Sequence, residues 1–207
     1  VARPGGAARG GSGPVPRLFA RLAAHIQQPH VLRAEGLFRV SAEHARVRLL
    51  REWLDGGRED AAFAELHGRP DGDAHTAASL LKRFLRDLPE PLCTRALYPE
   101  LVKAVDGTEL RPVLARLPAA HAALLRALLG LLRRVAAESR HNRMTARALA
   151  NIFAPNILRA RTDAATLGDL HRTAHVTHAL IEAEDEALFG AGEHAAAAAS
   201  AGGGPGR

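Results

Sequence analysis

Over residues 118–139 the chain carries Leu124, Leu125, Leu128, Leu129, Leu131, Leu132 and Val135, a stripe at helical spacing too wide to be covered by one neighbour. Such a segment has to be the central helix of a helical assembly, with partners on several sides. The rest of the sequence agrees. Aromatic residues make up 4% of the chain, and the apolar content is mainly leucine and alanine, which favour helix over strand. The expected fold class is all-α, a single-domain multi-helix bundle.

The other segments read in the same way. Val15, Leu18, Phe19, Leu22, Ala23 and Ile26 form one helical face, with Pro16 in the first turn and Gln28-Pro29 ending the run. Ser41 is placed to cap a second helix with Val47, Leu50, Trp53 and Leu54 inward, closed by Gly56-Gly57. Residues 58–72 read as a polar loop with a short turn around Phe63 and Leu66. Asp73 is placed to cap a third helix with Ala77, Leu80, Leu81, Phe84, Leu85 and Leu88 on one face, stopped by Pro89 and Pro91.

Thr94 and Thr108 open shorter stretches, the first with Leu97, Leu101 and Val105, the second with Leu110, Val113, Leu114 and Leu117. Thr145 caps a helix with Leu149, Ile152 and Phe153 inward that Pro155 breaks, and a last helix covers 169–188.

Of the 207 residues, 1–14 read as a flexible linker rich in Gly, Ala and Arg, and 190–207 as a disordered Ala/Gly-rich tail. The remaining 15–189 form one compact domain, large enough to bury roughly 70% of its unfolded surface. The formal net charge of +6 gives modest basicity. No basic run exceeds two residues, and the aromatics sit among apolar neighbours, so nucleic acid is not the expected partner. The single Cys93 cannot form an internal disulfide, no apolar run reaches the roughly 20 residues of a membrane span, and a cytoplasmic location is expected.

Three stretches carry the functional signal. Glu35-Gly36-Leu37-Phe38-Arg39-Val40-Ser41-Ala42 sets one arginine among the apolar anchors Leu37, Phe38 and Val40, with Gly36 free to turn. An arginine held this way presents a permanent planar charge suited to phosphate or carboxylate, although a surface arginine near a helix end is the plain alternative. Lys82 and Arg86 stand four apart on one helix face, a like-charge pair that costs a few tenths of a kcal/mol unless something negative faces it. Only Lys82 and Lys103 among the 28 basic residues are lysines. The third stretch is Asn142-Arg143-Met144-Thr145 followed by Phe153-Ala154-Pro155-Asn156.

In this order and at these separations, the stretches resemble the RhoGAP family, the GTPase-activating domains for Rho-type small GTPases, over residues 15–189. The resemblance implies a RhoGAP-like bundle that acts in trans on a Rho/Rac/Cdc42-type GTPase. It makes Arg39 the catalytic arginine finger and places Lys82, Arg86 and Asn156 on the GTPase-binding surface, with Arg86 also bracing the arginine loop. GTP and Mg2+ are then held by the partner, and the domain, taken as a monomer, has no cofactor of its own. Ala42, Ala148 and Ala154 depart from the family, which commonly has glycine, asparagine and glycine at those positions.

The rival reading within the resemblance is a catalytically silent GTPase-binding scaffold. A membrane-surface role would need a basic amphipathic helix, and no segment concentrates its arginines that way. His171, His175 and His178 share a helix face at i, i+4 and i+7, but no cysteine or carboxylate is spaced to complete a zinc set, so no metal is expected. No P-loop, dinucleotide fingerprint or nucleophile elbow occurs.

Overall fold

The computed structural model describes residues 15–104, 107–159 and 167–190. The expected linker, the expected tail beyond Gly190 and Val105 lie outside the described residues. Among the described residues all regular structure is helical. In chain order the helices are α1 (Arg17–Ile26), α2 (Pro29–Leu32), α3 (His44–Asp55), α4 (Glu59–His67), α5 (Ala74–Arg86) and α6 (Tyr98–Leu101). They continue with α7 (Gly107–Leu114), α8 (Ala119–Ala137), α9 (Ser139–Asn142), α10 (Ala146–Ile157), α11 (Leu167–Glu182) and α12 (Asp185–Phe189).

All seven apolar residues of the α8 stripe are buried. The centre is shared with α10, which packs on α5, α8 and α11, and whose small buried Ala150 and Ala154 leave room for neighbours. Helix α5 also packs on α1 and α3, so its two long edges link the first helices to the centre. Thr145 caps α10 as its sequence position predicts, its Oγ1 accepting the Ala148 amide at 3.2 Å. Cys93 is fully buried, and burial pushes its thiol pKa up to about 12, so it packs as a small apolar residue.

Several boundaries differ from the sequence reading, each for a local reason. Residues 59–67 form a full helix because Ala62, Phe63 and Leu66 are buried, and because Arg21 of α1 reaches Glu59 at 3.2 Å and Asp60 at 2.7 Å. The same guanidinium lies over the Phe63 ring, 4.1 Å from its centroid. Those cross-helix contacts cannot be read from a local pattern.

Ser41 caps nothing: α3 starts only at His44, with Glu43 at the N-cap and no side-chain cap bond. Asp73 does occupy the N-cap of α5, but at φ 48° and without a cap bond, because its carboxylate pairs with Arg46 of α3. Thr94 stands at φ 53° in a turn, so α6 begins at Tyr98. Pro29 opens the short α2, and Pro155 lies inside α10 on its exposed face, where the missing amide removes one rung near the C-terminus without ending the helix. The expected last helix is two, α11 and α12.

Candidate functional site

The loop between α2 and α3 is built to fix a backbone. The Gly36 amide donates to the Asn142 carbonyl at 2.7 Å, and the Gly36 carbonyl accepts the amides of both Arg39 and Val40 at 2.8 Å. Gly36 has φ 69°, and a Cβ there would meet Val40 Cγ2 at 2.6 Å, so only glycine fits. Leu37 and Phe38 are fully buried, with the Phe38 ring edge-on to Phe153 of α10 at 4.9 Å and 75°. Val40 differs from expectation: it is 43% exposed, because the loop doubles back and lays its methyls over Gly36 instead of turning them into the core.

Arg39 is exposed at the outer side of this loop. Its guanidinium has no hydrogen-bond or ion-pair partner among the described residues, so it remains available to an incoming anion. The carbonyl just before it, on Phe38, accepts the Lys82 ammonium at 2.5 Å. Lys82 is half-buried, and burial, followed by the nearby Arg86 charge, holds its pKa below the usual lysine value.

The bracing expected of Arg86 is therefore made by Lys82. The Arg86 side chain is exposed and unpartnered among the described residues, and its carbonyl accepts Arg159 Nη1 at 2.9 Å. Arg159 Nη2 reaches the Leu88 carbonyl at 2.8 Å, so one side chain satisfies the C-terminal end of α5. The sequence reading gave Arg159 no role; its partners lie 73 and 71 residues away.

A groove of about 650 Å³ runs between α3 and α5, lined by Arg48, Arg51, Lys82, Arg83 and Arg86 among others. Asp87 engages Arg51 at 3.2 Å and Arg83 at 2.9 Å. Arg48 and Arg86 have no acidic partner among the described residues, so the groove next to the arginine loop keeps a positive potential.

Asn156 was expected on the outer surface and is instead 1% exposed, because Pro155 does not end α10 and the next position turns inward. Its Nδ2 donates to the Ile152 carbonyl at 2.6 Å, while Oδ1 is buried with no partner among the described residues. It stands one turn beyond Phe153, the residue under Phe38.

Asn142 does work that its presence in a motif alone did not reveal. It is fully buried, its Nδ2 donates to the carbonyls of Leu32 at 3.0 Å and Val135 at 2.8 Å, and its Oδ1 accepts the Met144 amide at 2.8 Å. No group of three or more metal-ligating side chains that could hold an ion occurs among the described residues, His171, His175 and His178 included.

The RhoGAP domain family model matches residues 16–162. Rho GTPase-activating protein 1 of Homo sapiens is 34% identical over 179 residues, which cover 84% of this chain and 39% of that protein. Rho GTPase-activating protein gacY of Dictyostelium discoideum is 34% identical over 155 residues, 71% of this chain and 20% of that protein. Unconventional myosin-IXa of Rattus norvegicus is 37% identical over 152 residues, 70% of this chain and only 6% of that protein.

The chain thus spans well under half the length of these relatives. Among solved structures, human Rho GTPase activating protein 15 superposes with a TM-score of 0.73 at 21% identity, covering 85% of each chain. The BH domain of GRAF, the GTPase regulator associated with focal adhesion kinase, gives 0.69 at 24% identity, covering 83% of this chain and 92% of that one. Because the matched span runs from the first turn of α1 past the end of α10, and so holds the arginine loop, Lys82, Asn142 and Asn156 together, this chain belongs to the RhoGAP domain family.

Proposed function

We propose that this domain activates GTP hydrolysis by a Rho-type small GTPase of the Rho, Rac or Cdc42 kind, and that Arg39 is the arginine finger it supplies in trans. The carrying observation is an exposed, unpartnered arginine on a loop whose two preceding residues, Leu37 and Phe38, are buried and whose backbone is tied to Asn142 and Lys82. The names of the relatives support the partner class.

Hydrolysis belongs to the GTPase, which holds GTP and Mg2+. As the γ-phosphoryl group passes to water, charge develops on its oxygens, and an added guanidinium stabilises that charge more than it stabilises bound GTP. Lys82 and Arg86, with the groove beside them, form the docking face. Asn156, buried three residues beyond Phe153 on α10, supports the loop from within the fold and does not meet the partner directly. The domain acts as a cytoplasmic monomer with no cofactor of its own.

Arg39→Ala tests this in single-turnover hydrolysis by GTP-loaded Rho, Rac and Cdc42 types. The stimulated rate falls by about 10² or more, while affinity for a GTP-analogue-loaded partner stays within about tenfold. With GDP and aluminium fluoride, the wild-type domain co-elutes with its GTPase and Arg39→Ala does not. An unchanged rate, or a complex indifferent to fluoride, removes the finger assignment and leaves a scaffold that only binds.

A further inference from the structure

Away from the arginine loop, basic groups gather where α10 meets α11. Arg147 and Asn151 of α10 and His171, His175 and His178 of α11 line a concavity of about 330 Å³. A second concavity of about 520 Å³ shares His171 and His175 and is edged by Lys103 and Arg172. Among the described residues no carboxylate lines either one. Several cations elsewhere meet acids, among them Arg21, Arg33, Arg46, Arg95 and Arg133, while Arg39, Arg48 and Arg86 do not.

Here Arg147, Lys103, Arg172, His171 and His175 have no hydrogen-bond or ion-pair partner among the described residues. Of the acids near them, Glu182 pairs with Nε2 of His178, which lines the first concavity, at 3.3 Å, and the Asp169 charge is felt at Tyr98, whose phenol pKa is raised by burial and then by that carboxylate.

We infer that these joined concavities bind a small molecule carrying two phosphate groups, free or as the headgroup of a phosphorylated lipid. A cation is disfavoured, since three permanently charged side chains surround the imidazoles. A dianionic phosphate in each concavity meets an arginine fork, Arg147 in one and Arg172 in the other, and both reach the two shared imidazoles. The site is separate from Arg39 and does not depend on the GTPase-activating role.

The test is a titration of the domain with inositol bisphosphate, and with pyrophosphate as the minimal probe, followed through the histidine ring resonances. Saturable shifts of the His171 and His175 ring resonances are expected. Arg147→Gln and Arg172→Gln each weaken binding about tenfold or more, and Arg39→Ala does not change it. Both arginines are exposed, so the variants fold, and unchanged melting temperatures confirm it.

Sedimentation with phosphatidylcholine vesicles, with and without phosphatidylinositol bisphosphate, separates the sources. Co-sedimentation only with the phosphorylated lipid assigns the headgroup, and soluble binding without it assigns the free ligand. Non-saturable shifts, or binding by both arginine variants as tight as by the wild type, overturn the inference.

Discussion

Phe38 stands at φ 70°, a conformation that costs a non-glycine residue about 1 to 2 kcal/mol, and it is the residue directly before Arg39. Burial of its ring on Phe153 and the Lys82 bond to its carbonyl hold it there. Lys82 is thus a support for the arginine, in addition to the docking charge proposed for it. Lys82→Met keeps the apolar stem and deletes the ammonium, and we expect a stability loss of about 1 to 2 kcal/mol together with a lower stimulated rate. Urea denaturation and single-turnover hydrolysis measure the two. If the denaturation midpoint stays put and only GTPase affinity falls, Lys82 is a docking residue alone. The sequence placed Lys82 on an outward helix face but could not show its acceptor, a main-chain oxygen 44 residues earlier.

At the scale of elements, the arginine loop is fastened through the short α9. Asn142 at its end ties the exits of α2 and α8 to the approach to α10, and its own carbonyl receives Gly36. Asn142→Ala leaves the Leu32 carbonyl and the buried Met144 amide without that partner, while the Val135 carbonyl keeps the Glu138 amide. We expect a loss of about 2 kcal/mol or more, since each orphaned buried group costs about 1 to 3 kcal/mol. A denaturation shift below about 1 kcal/mol would show that water or a rearranged turn replaces the amide.

The long helices were legible because their apolar periodicity is itself the packing signal, as in α1, α5 and α8. What stayed hidden were features set by partners distant in sequence. Helix α4 needs Arg21, Asp73 turns to Arg46 in place of its own helix, and Asn156 faces inward because α10 continues through Pro155. At the candidate site the burial of Leu37 and Phe38 and the exposure of Arg39 follow the sequence reading, whereas the exposure of Val40 and the Lys82 bond to the Phe38 carbonyl do not.

For the molecule as a whole, charge and burial set how it meets a partner and when it unfolds. Arg48, Lys82 and Arg86 line one positive groove, so association with the GTPase should slow as ionic strength rises, and Arg48→Ala with Arg86→Ala should flatten that dependence. Stopped-flow association at several salt concentrations reads this directly, and a salt-independent rate would move the docking face elsewhere.

Acid stability turns on His25, where α1 meets the segments carrying α2, α4 and α5. It is 2% exposed, and since the Gly72 carbonyl can only accept, Nε2 is the donor in their 2.6 Å bond. Nδ1 is then bare and buried without a partner, and the His67 ring packs edge-on at 4.7 Å. Burial is the main cause lowering the His25 pKa; His67 and His30 lower it further, while the Gly72 bond and Asp73 oppose them. The folded pKa therefore lies below the unfolded value of about 6.5. Between the two, the unfolded chain binds more protons, so the contribution of neutral His25 is complete above about pH 6.5 and is lost as pH falls through the folded pKa. Urea midpoints measured from pH 7.5 down to 5.5 should fall in the wild type and change less in His25→Gln, which keeps an N–H donor without a titrating ring. Carboxylates add little to the difference because they titrate mostly below this window. Parallel curves for the two proteins would mean that the acid sensitivity arises elsewhere.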